Sequence, residues 1–253
     1  MAVLELSEVT MRFGGLTAVN KVDLALAENE ILGLIGPNGA GKTTIFNVIT
    51  GIYTPTSGKI LFKGEEINGL KPYVLTRKGI ARTFQNIRLF GELTVLDNVK
   101  IGGHVRSKGN LFGALTRLPS MAEERKLVEK ARSFLAFMGL AAKEKELARN
   151  LSYGEQRRLE IARAMASDPA LLLLDEPAAG MNPQETLALM EMIRRIRERG
   201  LTILLVEHDM KLVMGICDRV AVLDYGEKIA DGTPREIQSD QRVIAAYLGE
   251  AAS

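Results

Sequence analysis

Residues 36–43 read Gly36-Pro37-Asn38-Gly39-Ala40-Gly41-Lys42-Thr43. The spacing is that of G-x-x-x-x-G-K-[ST], and its flanks supply the context the pattern requires. Upstream, Ile31, Leu32, Leu34 and Ile35 form an apolar run of strand length. Downstream, Thr43 to Thr50 reads as a helix that stops near Gly51, as a helix-terminating glycine predicts. A glycine-rich turn in this position lets successive backbone N–H groups converge on an anion. The helix that follows adds the positive end of its dipole. Lys42 supplies a mobile cation for β- and γ-phosphates, and the Thr43 hydroxyl is a ligand suited to Mg²⁺. A plain glycine turn is the competing reading, and the strand and helix on either side weigh against it.

A second stretch, Leu171-Leu172-Leu173-Leu174-Asp175-Glu176-Pro177, joins four leucines to two carboxylates. The leucines read as a buried central strand. The carboxylates are not explained by burial, because an ionised group there needs a partner. In open α/β sheets ligands gather at the carboxyl ends of strands. Asp175 therefore suits the Mg²⁺ shell, and Glu176 suits a general base acting on water. An acidic pair at a helix start is the alternative. Together the two motifs describe hydrolysis of a nucleoside triphosphate.

The rest of the chain bounds the answer. It has 253 residues, 46% of them hydrophobic and 25% charged, which is ordinary for a globular chain with a sizeable core. Lys and Arg total 33 against 31 Asp and Glu, a net charge of +2 that gives no support for a nucleic-acid partner. Cys217 is the sole cysteine and fits a reducing compartment. No apolar run approaches the length of a bilayer span, and no secretory leader is expected. Lys59 to Lys63 reads as a strand followed by a Gly64-Glu65-Glu66 turn. Pro183 to Arg199 reads as a helix and Leu201 to Val206 as a strand. Strands alternating with helices predict a mainly parallel sheet covered by helices. Leu93 to about Asn150 is different: Met121 to Gly139 carries helical spacing, Arg106 to Pro119 is irregular, and the block reads as a helical insertion. Gln238 to Ser253 looks helical.

A third stretch names a family. Leu151-Ser152-Tyr153-Gly154-Glu155-Gln156, followed by Arg157-Arg158-Leu159-Glu160-Ile161-Ala162-Arg163-Ala164, resembles the L-S-G-G-Q signature of ATP-binding cassette (ABC) ATPases. Ser152 and the Gly154 N–H sit where a helix N-terminus faces a phosphate, and Ser152 to Glu155 also reads as a capping box. The resemblance extends from about Leu4 to about Leu248. It implies an α/β P-loop NTPase fold, a RecA-like core with an antiparallel β subdomain and an inserted α-helical subdomain. One nucleotide-binding domain over 1–253 is expected, with its core at about 1–92 and 157–253 and the helical part at about 93–156. By resemblance, Gln85 in Arg82-Thr83-Phe84-Gln85-Asn86 is the Q-loop glutamine that touches Mg²⁺ and water. His208 in Val206-Glu207-His208-Asp209 is the switch histidine, and Phe13 is the aromatic that stacks on adenine. A core or turn phenylalanine is the competing reading of Phe13. Thr44, Ser152, Gly154 and Glu155 join the loop residues as cofactor-binding positions for ATP, with Thr43, Gln85 and Asp175 holding Mg²⁺.

Three positions depart from the family pattern. Tyr153 and Glu155 replace glycine and glutamine in the signature, and Asn182 in Ala179-Gly180-Met181-Asn182 replaces an aspartate. Within the family, Arg82 to Phe90, Leu151 to Gly154 and Ala178 to Pro183 resemble the Liv-G type of ATPase subunit in bacterial branched-chain amino acid importers. That type implies a second ABC ATPase cassette, two transmembrane permease subunits and, indirectly, a periplasmic or extracellular solute-binding protein, with no nucleic acid. It places the chain at the cytoplasmic face of the cell membrane. The segment Asn86 to Gly91 would meet the permease, with Leu89 and Phe90 either a docking patch or core. Urea- and amide-type importers use closely similar ATPases, and a soluble, non-transport ABC ATPase is the reading from another class.

Overall fold

The computed structural model describes residues 2–104 and 121–250. Two sheets organise it. Strands β1 (Ala2–Phe13) and β2 (Leu16–Ala27) form a hairpin through Gly14-Gly15, with Phe13 opposite Leu16. Strands β4 (Ser57–Phe62) and β5 (Glu65–Glu66) complete an antiparallel sheet in the order β2-β1-β4-β5. The expected turn at Gly64-Glu65-Glu66 is tighter than its sequence implied. Lys63 and Gly64 take φ of 52° and 77° and make the reversal, while Glu65 and Glu66 pair with Phe62 and Leu61.

The second sheet has the order β10-β9-β3-β8-β7-β6. It contains β3 (Ile31–Ile35), β6 (Ile80–Arg82), β7 (Leu171–Asp175), β8 (Thr202–Val206), β9 (Arg219–Asp224) and β10 (Glu227–Gly232). All its pairs are parallel except β9 with β10. The uninterrupted apolar runs have a direct cause: both faces of this sheet are covered. On one face Ile31, Ile35, Leu172, Leu174, Ile203 and Leu205 enter a core shared with the helices. On the other, Leu32, Leu34, Leu171, Leu173, Leu204 and Val206 pack toward the antiparallel sheet and α1 (Lys42–Ile49). The two-residue strand period sorts every neighbour to the opposite core.

Helix α2 (Pro72–Lys78) precedes β6. The helical block holds α3 (Val95–His104), α4 (Met121–Phe137) and α5 (Tyr153–Met165). Buried Val95, Val99, Leu135, Leu159 and Ala162 tie these three helices into the same core as β7 and β8. Helix α5 runs unbroken through 156–157, the boundary expected between the helical block and the core. The irregular stretch Arg106 to Pro119 lies outside the described residues. After β7 come α6 (Pro183–Glu198) and α7 (Met210–Ile216). The helical tail is two helices, α8 (Pro234–Ser239) and α9 (Gln241–Glu250), divided at Asp240. The parallel strands β3, β6, β7 and β8 end together. Their C-terminal loops, 36–41, 83–90, 176–182 and 207–209, therefore meet at one edge.

Candidate active site

The loop 36–41 is shaped by two glycines that admit no side chain. Gly36 has φ of 147°, and a Cβ there would lie 2.0 Å from the Leu223 carbonyl oxygen. Gly41 has φ of 103°, and its Cβ would lie 2.6 Å from the Ala18 carbonyl oxygen. Space above Gly39 is open. The loop is backed by the β9–β10 turn, where the Gly226 N–H donates to the Ala40 carbonyl at 3.1 Å. Nζ of Lys42 donates to the carbonyls of Gly36 at 2.6 Å and Pro37 at 2.9 Å, so the ammonium lies across the loop itself. Helix α1 starts with no side-chain cap and no acidic residue in its first turn, which keeps its positive end suited to an anion. Thr43 is exposed and Thr44 half-buried beside it, and Pro37 and Asn38 complete the turn.

Asp175 closes β7 and is buried. Its carboxylate accepts from Nη2 of Arg82 at 2.7 Å. The next residue, Glu176, has φ of 45°, a left-handed conformation that is costly for a residue with a side chain. Its N–H donates to the Val206 carbonyl at 2.9 Å, which pins the kinked backbone to β8. Its carboxylate accepts from Nε2 of Gln85 at 2.7 Å. Nδ1 of His208 lies 3.9 Å from the same carboxylate oxygen, and the ring is 67% exposed. Gln85, Glu176 and His208 are far apart in sequence and converge here on one carboxylate.

Glu207 orders this cluster from below. It is buried, and its carboxylate accepts from the N–H groups of Ala178 at 2.7 Å and His208 at 3.1 Å. One side chain thus ties the loop after β7 to the loop after β8. Burial pushes its acid above the ordinary carboxylate range, against the pull of those N–H groups.

Phe13 ends β1 and is 41% exposed. It packs edge-on against Tyr53, with centroids 5.1 Å apart and planes at 77°. It is a surface aromatic, not a core residue.

The signature turn begins α5. Ser152 Oγ accepts from the Glu155 N–H at 3.4 Å, and the Glu155 carboxylate accepts from the Ser152 N–H at 3.0 Å, a closed capping box. Glu155 also takes Nζ of Lys143 at 2.9 Å, and this bond holds its acid below the usual range. Ser152, Gly154 and Glu155 line a concavity of about 150 Å³ with Met181 and Glu185. None of residues 36–43 lines it. Within this one chain, the signature and the phosphate loop are not brought to the same pocket.

Several contributors escaped sequence reasoning. Arg82, Arg157, Glu160 and Glu207 are charged residues with no motif of their own, and their importance lies in buried partners distant in sequence. Asn182 had a readable signal: an amide before Pro183 with Glu185 three positions on. Its side chain accepts from the N–H groups of Gln184 and Glu185, both at 3.0 Å, and caps α6. Of the Leu89-Phe90 pair, Leu89 is half-buried on the core, while Phe90 is 50% exposed and its backbone is clamped by buried Asn98.

Comparison with known proteins agrees with this geometry. The ABC transporter family model matches residues 19–179, and a model described as branched-chain amino acid ATP-binding cassette transporter matches 227–253. The chain is 49% identical over 251 residues to the high-affinity branched-chain amino acid transport ATP-binding protein LivG of Escherichia coli K12, covering 98% of each chain. It is equally similar to BraF of Pseudomonas aeruginosa, again 49% over 98% of each. The lipopolysaccharide export ATP-binding protein LptB of Haemophilus influenzae is 34% identical over 99% of this chain and 98% of its own. A solved ATP-binding cassette of an ABC transporter in its ADP conformation superposes with a TM-score of 0.87, at 31% identity, over 98% of this chain and 99% of that one. The α/β core, the helical block and the converging loops are thus those of a nucleotide-binding cassette, and the chain belongs to the ABC transporter family of ATPases coupled to transport.

Proposed function

We propose that this chain is the ATP-hydrolysing subunit of an importer for branched-chain amino acids, and that Glu176 is its general base. The observation that carries the hydrolytic reading is the convergence of Gln85 and His208 on the Glu176 carboxylate. Glu176 takes a proton from water, and the resulting hydroxide attacks the γ-phosphorus. The bond to the bridging oxygen breaks, and ADP leaves with that electron pair. Gln85 holds Glu176 and the water in register. His208, its side chain exposed beside Glu176, reaches the γ-phosphate. Backbone N–H groups of 36–44 and the Lys42 ammonium meet the phosphates, and Phe13 with Tyr53 offers an apolar platform to adenine.

The donor set fits Mg²⁺. Thr43, Gln85 and Asp175 offer a hydroxyl, an amide and a carboxylate, and the described residues hold no cluster of three or more His, Cys, Asp or Glu. Mg²⁺ is characteristically held by one or two carboxylates together with phosphate oxygens and water. When bound, it offsets phosphate charge during transfer.

The separate signature concavity supports a head-to-tail pair of cassettes, in which Ser152, Gly154 and Glu155 of one face the nucleotide of the other. Phe90, exposed and backed by Asn98, supports a contact with a transmembrane permease subunit at 86–91. No described helix is long and apolar enough to cross a membrane, which suits a peripheral subunit at the cytoplasmic face. The amino acid assignment rests on the relatives named above, because the ATPase itself does not touch the solute.

The test is a tagged Glu176→Gln pull-down with ATP from detergent-solubilised native membranes. Two polytopic subunits and a second cassette are expected. Reconstituted with their solute-binding protein, they should hydrolyse ATP faster with leucine, isoleucine or valine. Stimulation by urea or an amide alone would overturn the solute assignment. Recovery of soluble partners alone would overturn the transport reading.

A further inference from the structure

Arg157 is the largest fully buried side chain among the described residues, and it lies on α5 one turn after the signature. Nη1 donates to the Phe84 carbonyl at 2.6 Å and to the Glu160 carboxylate at 2.9 Å. Nη2 donates to the Gln85 carbonyl at 2.8 Å and to the Tyr153 hydroxyl at 3.4 Å. Glu160, three residues on and equally buried, accepts the Arg88 N–H at 3.2 Å. Two side chains on one helix face thus hold three backbone groups of the irregular loop 83–90. The start of that loop is fixed separately, by the Thr83 N–H donating to Leu173 of β7 at 2.9 Å.

From this geometry we infer that Arg157 and Glu160 form a positioning pair that makes the Gln85 loop travel with the signature helix, so that the Gln85–Glu176 contact depends on where α5 sits. The inference rests on the ATPase reading above and deepens it. Gln85 is caught between an anchor on the sheet and a grip on α5. A displacement of α5 of an ångström or so relative to the sheet strains or releases the 2.7 Å bond from Gln85 to Glu176. The same helix begins at the capping box of Ser152 and Glu155. Tyr153, the departure from the family pattern, carries the link further. A Cβ on Gly180 would lie 3.4 Å from its ring, so Tyr153 sits on the loop after β7 while its hydroxyl meets Arg157. Signature, Gln85 loop and the 179–182 loop are joined through one guanidinium.

A buried ion pair replaced by apolar residues of similar volume is often no less stable. Arg157→Met combined with Glu160→Leu keeps the side-chain volume and removes the grip on the loop, and urea unfolding of the same variant reports what stability goes with the Phe84, Gln85 and Arg88 backbone contacts. In that variant we expect kcat for ATP to fall by roughly 10- to 100-fold, as loss of a positioned catalytic group does. KM and nucleotide affinity should stay within about threefold, because no phosphate contact is removed. The second arm is a double-mutant cycle with Gln85→Ala. If Arg157 acts through Gln85, the Arg157 change costs kcat nothing further in that background. Arg157→Lys keeps a charge beside Glu160 without the planar fork, and it carries the same cycle should the double variant not fold. Wild-type kcat in the substituted proteins, or effects that multiply with Gln85→Ala, would overturn the positioning role. Absence of ATPase activity in the wild-type chain, with its own partners, would overturn the underlying reading instead.

Discussion

Arg82 ends β6 and reaches across to the neighbouring strand, where its Nη2 lies 2.7 Å from the Asp175 carboxylate, both side chains being more than nine-tenths buried. The same guanidinium donates to Asn47 at 2.7 Å and Thr50 at 3.2 Å, and it lies over the rings of Phe46 and Phe84. Arg82 thus joins α1, which follows the phosphate loop, to the carboxylate that suits Mg²⁺. Parallel pairing of Arg82 with Leu173 sets this reach.

The pair is asymmetric, and that gives the first prediction. Arg82→Met strands the Asp175 carboxylate in the interior, a loss of about 3–5 kcal/mol. Asp175→Asn leaves Arg82 with Asn47, Thr50 and two aromatic faces, so its cost is smaller, about 1–3 kcal/mol. Urea unfolding of both variants measures the order. An Asp175→Asn protein less stable than Arg82→Met would refute the argument.

Lys42→Ala removes the only side-chain cation in the phosphate loop. The charge-assisted bonds lost are worth about 1.5–3 kcal/mol, so nucleotide affinity should drop by roughly 10- to 100-fold. Titration with a fluorescent ATP analogue reads this directly, and unchanged affinity would remove Lys42 from phosphate binding.

Glu176→Gln keeps the bond to Gln85 geometrically possible and abolishes the base. ATP binding should persist, while kcat falls by roughly 10²- to 10⁴-fold. His208→Ala should also lower kcat with little change in affinity, because the exposed ring 3.9 Å from Glu176 meets the γ-phosphate alone and its loss leaves the backbone cradle of 36–44 and Lys42 intact. Purified Glu176→Gln with normal turnover would end the base assignment. A large affinity loss in His208→Ala would instead make that histidine part of the binding site.

Sequence reasoning found what depends on local spacing and missed what depends on burial. The runs at 31–35, 171–174 and 203–206 announce strands because a sheet covered on both faces leaves no polar positions along them. The glycine loop and the Ser152 to Glu155 box are contiguous and are visible for that reason. Arg82, Arg157, Glu160 and Glu207 were not, since a charge looks the same in sequence whether solvated or buried. Their partners, Asp175, the Gln85 loop and the Ala178 N–H, lie 29 to 93 residues away. The alternatives at Leu89-Phe90 were equally beyond reach, because Asn98, the residue that turns Phe90 outward, belongs to the next helix.

Glu207 supplies a pH dependence whose sign is fixed by burial. Its acid is raised in the folded chain, so between the ordinary carboxylate value and the raised one the folded state holds a proton that the unfolded state has lost. Stability from this group is therefore fully present at the acid end and falls as pH climbs through that window. His208, with Nδ1 4.0 Å from the carboxylate, opposes the shift when protonated but does not reverse it. Glu207→Gln has no such titration. The stability of the wild type relative to Glu207→Gln should therefore be greatest near the unfolded carboxylate pKa of about 4.3 and shrink as pH rises. Other carboxylates, such as Glu155 with its lowered acid, move both proteins alike and cancel in the difference. Urea midpoints for the two chains across a pH series measure it. A difference that is flat, or that grows with pH, would mean that Glu207 holds the 176–178 and 207–209 loops together as a comfortably ionised acceptor, and the assignment of burial as the dominant cause would fail.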